Sequence, residues 1–139
     1  MGKKALIGFG LIVLLALSST VTAQGPVVPQ HSDVNWQATY WNNMNLSGTP
    51  ALQREEPNLD YNWGTGSPGP GVNADGFSAR WTRYLDLAAG TYRFTTVSDD
   101  GLRLWVDGVL LIDEWNDHSA KTVSADKALT AGHHLVTVE

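Results

Sequence analysis

Cysteine is absent from all 139 residues, so the chain has neither a disulfide framework nor a thiolate to serve as nucleophile or metal ligand. There is no Gly-x-Ser-x-Gly elbow and no His-Glu-x-x-His pair, which removes the usual local signatures of serine hydrolases and zinc peptidases. Basic residues are few, 9 Lys and Arg against 14 Asp and Glu. That balance repels a phosphate backbone and argues against nucleic acid as a partner. Beyond the first residues no segment carries apolar side chains at helical spacing, which argues against a helical bundle.

What is present begins with Lys3 and Lys4, followed by an apolar run from Ala5 to Leu17 and a small, polar exit through Ser18 and Thr20 to Ala23. A basic start, an apolar stretch of about 13 residues and a small-residue exit have the form of a Sec signal peptide. The stretch falls short of the ~20 residues that a membrane-spanning helix needs. The pattern predicts a helical signal peptide over residues 1–23, cleavage after Ala23, and a secreted or cell-surface protein with no stable membrane insertion afterwards. Cleavage removes two lysines and no acid, leaving seven basic against 14 acidic side chains and a net charge near −7. Residues 24–34, with Pro26 and Pro29 and no periodicity, read as a flexible spacer.

Residues 35–139 read as one all-β domain. Asn35 to Trp41 alternates, Leu52 to Glu56 is a short second strand, and Phe77 to Leu87 and Thr91 to Ser98 are longer ones. Lys121 to Leu129 is a weaker strand, and His133 to Val138 alternates again. Turn signals recur roughly every 8 to 12 residues, the spacing of an antiparallel sandwich or barrel. Pro57 to Gly76 is too rich in glycine and proline for regular structure and reads as a long loop. Asp99-Asp100-Gly101 and Asp107-Gly108 read as hairpin turns, because Asp and Gly tolerate the positive φ of a type I′ turn. The final run reaches Glu139 in mid-alternation, so it is expected to be an edge strand whose covering strands are missing.

Asp99 and Asp100 put two carboxylates on one tight turn, where they repel each other. They are either solvated or share a cation that takes oxygen ligands, calcium being the fitting choice. Spacing alone leaves both readings open. Asn73-Ala74-Asp75-Gly76 and Asp107-Gly108 both fail as EF-hand loops, the first placing Gly71 and Thr82 where acids are required, the second placing Arg103 and Trp105 among the ligands. Glu55 and Glu56, or Asp113 and Glu114, point to opposite faces of a strand and make poor catalytic pairs. His133 and His134 diverge likewise and cannot share one metal. Trp63, in the long loop, and Trp115, after the second hairpin, are candidate platforms for a sugar face, with packing as the alternative. Asn45-Leu46-Ser47 is a glycosylation sequon.

Several segments occur in an order that resembles the PA14 domain family. They are Tyr40-Trp41-Asn42-Asn43, Asp75-Gly76-Phe77-Ser78-Ala79-Arg80-Trp81-Thr82 and Gly90-Thr91-Tyr92-Arg93-Phe94. The most specific is Ser98-Asp99-Asp100-Gly101-Leu102-Arg103-Leu104-Trp105-Val106-Asp107-Gly108 running into Ile112-Asp113-Glu114-Trp115. The resemblance covers Trp36 to Glu139 and implies an antiparallel PA14-type β-sandwich or barrel of the kind found in secreted adhesins, glycosidases and toxins. It further implies that Asp99 and Asp100 hold Ca2+, which chelates sugar hydroxyls, while the asparagine ligand of the family's lectins falls beyond Glu139. The resulting expectation is an exported, non-catalytic carbohydrate-binding module with glycan or polysaccharide as partner and Asp99, Asp100, Trp63 and Trp115 as ligand-binding residues. The alternative is a structural or protein-interaction module of a larger secreted enzyme, such as a glycoside hydrolase, or of a surface assembly.

Overall fold

Period-two burial organises the molecule: side chains alternate between a shared interior and the outside along almost every strand. The computed structural model describes residues 5–8 and 33–139. In chain order the strands are β1 (Ala5–Gly8), β2 (Trp36–Trp41), β3 (Leu52–Glu56), β4 (Asp60–Gly64) and β5 (Ser78–Leu87). They continue with β6 (Gly90–Asp99), β7 (Leu102–Val106), β8 (Val109–Glu114), β9 (Lys121–Leu129) and β10 (Gly132–Val138). Among the described residues they form two antiparallel sheets, one in the order β4-β1-β6-β9 and one in the order β3-β2-β5-β10-β7-β8. No helix occurs among them, and the fold is all-β.

The core fills the space between the sheets. Trp36, Ala38 and Tyr40 enter it from β2, Trp81 from β5, and Leu102, Leu104 and Val106 from β7. Val136 and Val138 on β10 meet Tyr92 and Phe94 on β6. Burying side chains of this size contributes about 1.5–3 kcal/mol each, which explains how an isolated domain holds together without disulfides. Leu59 and Val72 are buried in the same cluster, so the long stretch from Pro57 to Gly76 is pinned to the core at two points.

Several sequence-based expectations change here. Pro57 to Gly76 is not wholly irregular, because Asp60–Gly64 forms β4. Its five residues are too few for a readable period and are bounded by breakers. Asp107-Gly108 is the expected hairpin between β7 and β8, with φ of 53° and 74°. Asp99-Asp100-Gly101 is not a hairpin, since β6 and β7 lie in different sheets and these residues carry the chain from one to the other. The Asp99–Asp100 peptide is cis. Gly101 is demanded by close approach, as a Cβ there would lie 3.0 Å from Asn116 N and 3.2 Å from Glu114 O.

The last strand is not at an edge either. β10 pairs with β5 on one side and β7 on the other, and Glu139 continues the ladder by exchanging backbone hydrogen bonds with Arg103. At the other end, most of the signal peptide, its cleavage point after Ala23 and most of the spacer lie outside the described residues. Ala5–Gly8, expected to be helical, is a strand between β4 and β6. Asp33, assigned to the flexible spacer, is tied to β5: its N–H donates to Tyr84 O at 3.0 Å and its carboxylate accepts the Tyr84 N–H at 2.9 Å.

Candidate functional site

Where β6 hands the chain over to β7, a recess of about 200 Å³ opens between the two sheets. Trp63 from β4, Phe77 before β5, Asp99 and Asp100 from the crossing, Trp115 after β8 and Glu139 after β10 all line it. The four residues singled out from the sequence, Asp99, Asp100, Trp63 and Trp115, thus meet at one place. The crossing causes this: because Asp99-Asp100-Gly101 leaves one sheet for the other, its carboxylates face the mouth between the sheets instead of the tip of a hairpin. Asp100 Oδ1 accepts the backbone N–H of His118 at 3.3 Å, which ties the crossing to the segment after Trp115.

Glu139, which lines the recess, belongs to a rung of charges with Arg80 on β5 and Arg103 on β7. The Glu139 carboxylate, 6% exposed, accepts Arg80 Nε at 2.6 Å and Arg103 Nη2 at 2.7 Å. Arg103 also lies over Trp115, with its guanidinium carbon 4.2 Å from the ring centroid, and over Trp105 at 5.1 Å. Such a cation over an indole stabilises by about 0.5–2 kcal/mol and fixes the ring. Trp63, also in the lining, stacks on Tyr61, centroids 5.2 Å apart and planes 8° apart, and meets Phe77 edge-on at 5.5 Å. Each of the two candidate platforms therefore has one ring face covered from within the chain.

Behind Trp63 lies a second buried carboxylate. Glu56, 3% exposed, accepts hydrogen bonds from Tyr40 Oη at 2.6 Å, Trp81 Nε1 at 2.6 Å and Arg54 Nε at 2.5 Å. Burial, followed by the Glu56 carboxylate, pushes the Tyr40 phenol far above its ordinary value, so it remains a donor. The same two causes push Tyr61 up to about 12. The hydrogen bond to Glu56 holds Tyr40 edge-on to Trp63 at 6.4 Å, so the carboxylate acts as a brace for that ring.

Among the described residues Asp99 and Asp100 gain no third acidic or imidazole side chain that would make a metal-holding group with them. No group of three or more His, Asp or Glu among them is placed to hold an ion. Calcium takes six to eight oxygens, and an adjacent pair supplies only part of that set. His118 Nε2 is buried without a hydrogen-bond partner but does not join the pair in a metal-holding group. His133 and His134 diverge as expected: His134 packs inward against Asp107 at 2.7 Å, and His133 faces Asp86 at 3.4 Å. Sequence reasoning missed Phe77, Glu139 and the Arg80–Glu139–Arg103 rung. The arginines lie 59 and 36 positions from the glutamate, and no local signal spans such distances.

The PA14 domain model matches residues 32–137. Over 94 residues, 67% of this chain, the sequence is 46% identical to the anti-sigma-I factor RsgI3 of Acetivibrio thermocellus, of whose length it covers 14%. A solved anti-sigma factor domain-containing protein aligns at 39% identity with a TM-score of 0.69, over 76% of this chain and 38% of that one. The PA14 domain of the MpAFP antifreeze protein, 19% identical, shares the fold with a TM-score of 0.59. The chain thus spans a minor part of the anti-sigma proteins it matches. The two anti-sigma relatives overturn the expected carbohydrate-binding module, along with glycan or polysaccharide as the partner, since both are anti-sigma factor proteins. Nor do they support an accessory domain of a glycoside hydrolase.

Proposed function

Because the chain belongs to the PA14 domain family, we propose that it is the binding module of a regulatory protein of the anti-sigma kind, working by recognition and not by catalysis. The observation that carries this reading is the 46% identity over 94 residues to an anti-sigma factor. In this reading residues 1–23 carry the domain out of the cytoplasm. There it forms the outer part of a membrane-anchored regulatory complex, while another part of that complex contacts the sigma factor. Asp99, Asp100, Trp63 and Trp115 are the residues through which the module takes its signal, since all four line the recess.

A transcription reporter driven by the cognate sigma factor tests the proposal in cells carrying the complete gene or a version lacking residues 33–139. Repression by the complete protein is expected, with a changed response once the module is deleted. A reporter indifferent to the complete protein would overturn the reading. Export is tested separately by the N-terminus of the processed chain, expected to be Gln24.

A further inference from the structure

Aspartate followed directly by glycine occurs three times, at Asp75-Gly76, Asp100-Gly101 and Asp107-Gly108, and asparagine followed by glycine does not occur. Glycine is the neighbour that best lets the backbone nitrogen reach the preceding side chain, because no Cβ restrains or shields it. As dipeptides the three pairs are equivalent, and the fold separates them. Both carboxylate oxygens of Asp107 are engaged, Oδ2 with His134 Nδ1 at 2.7 Å and Oδ1 with the Leu135 N–H at 2.9 Å. Asp100 Oδ1 accepts the His118 N–H, and the backbone of Glu114 and Asn116 crowds Gly101. Asp75 and Gly76 are both exposed, and the space where a Gly76 Cβ would stand is open. The hydrogen bond described for the Asp75 carboxylate is to its own neighbour, with the Gly76 N–H donating to Oδ1 at 2.8 Å.

We propose that Asp75-Gly76 is a self-modification site, where the lining of the recess converts to isoaspartate through a succinimide. The hydrogen bond places the Gly76 nitrogen next to the carboxyl carbon it attacks, the proximity that speeds an intramolecular step. The nitrogen gives up its proton and bonds to Cγ, the Cγ–OH bond breaks, and hydroxyl and proton leave as water. Water then adds back to the five-membered ring. Opening between Cγ and the nitrogen restores aspartate. Opening between the Asp75 main-chain carbonyl carbon and the nitrogen leaves the chain running through Cβ and Cγ, with the carboxylate on Cα. One water leaves and one returns, so no oxidant or co-reactant enters. The flanks confine the change: Val72 is buried, the Asn73 N–H donates to Asn42 Oδ1 at 2.7 Å, and Ser78 opens β5. The lengthened backbone therefore falls within residues 74–77, all of which line the recess. There Phe77 meets Trp63 edge-on, so the conversion moves a carboxylate and a ring contact of the lining together. The proposal is independent of the role in sigma regulation.

The test ages the full chain at mildly acidic pH below its unfolding temperature, beside a second sample held in denaturant. Isoaspartate is quantified with an isoaspartyl methyltransferase and a labelled methyl donor, and assigned to each pair by fragmentation of the digested peptides. In the folded chain it is expected to form at Asp75 at least about tenfold faster than at Asp100 or Asp107, where hydrogen bonds to the carboxylate must break first. In denaturant the three rates should converge, because the dipeptides are the same. Asp75→Glu cannot close the five-membered ring and should lose the signal at this position while keeping the tryptophan emission of the parent. Equal rates at the three pairs in the folded chain, or the same ordering in denaturant, would overturn the proposal. So would a folded chain that gains no isoaspartate at Asp75 while the denatured one does.

Discussion

Replacing Glu56 by glutamine changes one terminal group in a buried, densely bonded network. The carboxylate accepts three donors, from Tyr40, Trp81 and Arg54, at 2.5 to 2.6 Å. A glutamine amide offers one acceptor and one donor, so however it turns, its NH2 faces another donor. Removing one partner from a buried charged network costs about 3–5 kcal/mol. The Arg54 side chain is 33% exposed and recovers some water, which places the loss near the lower bound. For a domain of this size about 4 °C accompanies each kcal/mol, so the Tm of Glu56→Gln should fall by about 12 °C. Tyr40→Phe leaves two of the three donors and should cost about 1.5–3 kcal/mol. Because both changes act on one network, the double variant should lose less than the two single losses together, by at least about 1 kcal/mol. Thermal unfolding followed by tryptophan fluorescence measures all three. A Glu56→Gln protein within about 0.5 kcal/mol of the parent, or strictly additive losses, would refute the bracing role given to Glu56.

Other outcomes follow from the same geometry. Burial opposes the charge on His134, but hydrogen bonds to Asp107 and the Thr130 carbonyl outweigh it and raise its pKa. This stabilisation is fully present below the ordinary imidazole value of about 6.5 and is lost as pH rises through the higher folded value. The Tm should therefore decline above about pH 6.5, and a His134→Gln protein declining equally would refute the assignment. The Asp107 carboxyl is held below its usual range: burial opposes this, and hydrogen bonds from His134 and the Leu135 N–H prevail. Its contribution is present above that range and disappears as acid takes the pH through the lowered value. Gly101→Ala drives a Cβ against the backbone of Glu114 and Asn116, and should cost about 1–3 kcal/mol by overpacking. An unchanged Tm would show that the crossing has room to move. Calcium should raise the Tm only at about millimolar free ion, since Asp99 and Asp100 supply only part of a coordination shell. Saturation at micromolar calcium would show that the shell is completed by groups outside the acidic and imidazole side chains.

Legibility differed from one element to the next for physical reasons. Leu52–Glu56 was readable because turn and proline signals bracket it, and β6 and β10 because their alternation is long. β4 was hidden, as five residues between breakers carry almost no period. The turn chemistry of Asp107-Gly108 was correct because hairpin geometry is local. The same chemistry misled at Asp99-Asp100-Gly101, where the packing of β7 beside β10 takes the next strand into the other sheet. Asp99 and Asp100, singled out from the sequence, do line the recess, but on a crossing between sheets and not on a hairpin. Trp63 and Trp115 line it too, but the tyrosine stacked on the first and the cation over the second depend on contacts that a linear reading cannot contain.

The amino-acid sequence alone determined the all-β class, the inward and outward alternation of the strands, the hairpin at Asp107-Gly108 and the PA14 character. These depend on side-chain periods and turn residues that act within a few positions of one another. Only the tertiary structure decided that Asp99-Asp100-Gly101 crosses between sheets, that Glu139 binds Arg80 and Arg103, and that Ala5–Gly8 lies between β4 and β6. Those outcomes depend on which strand edges meet and which charges are buried together. Such pairings are set by the packing of the whole core, and neighbouring residues along the chain do not encode them.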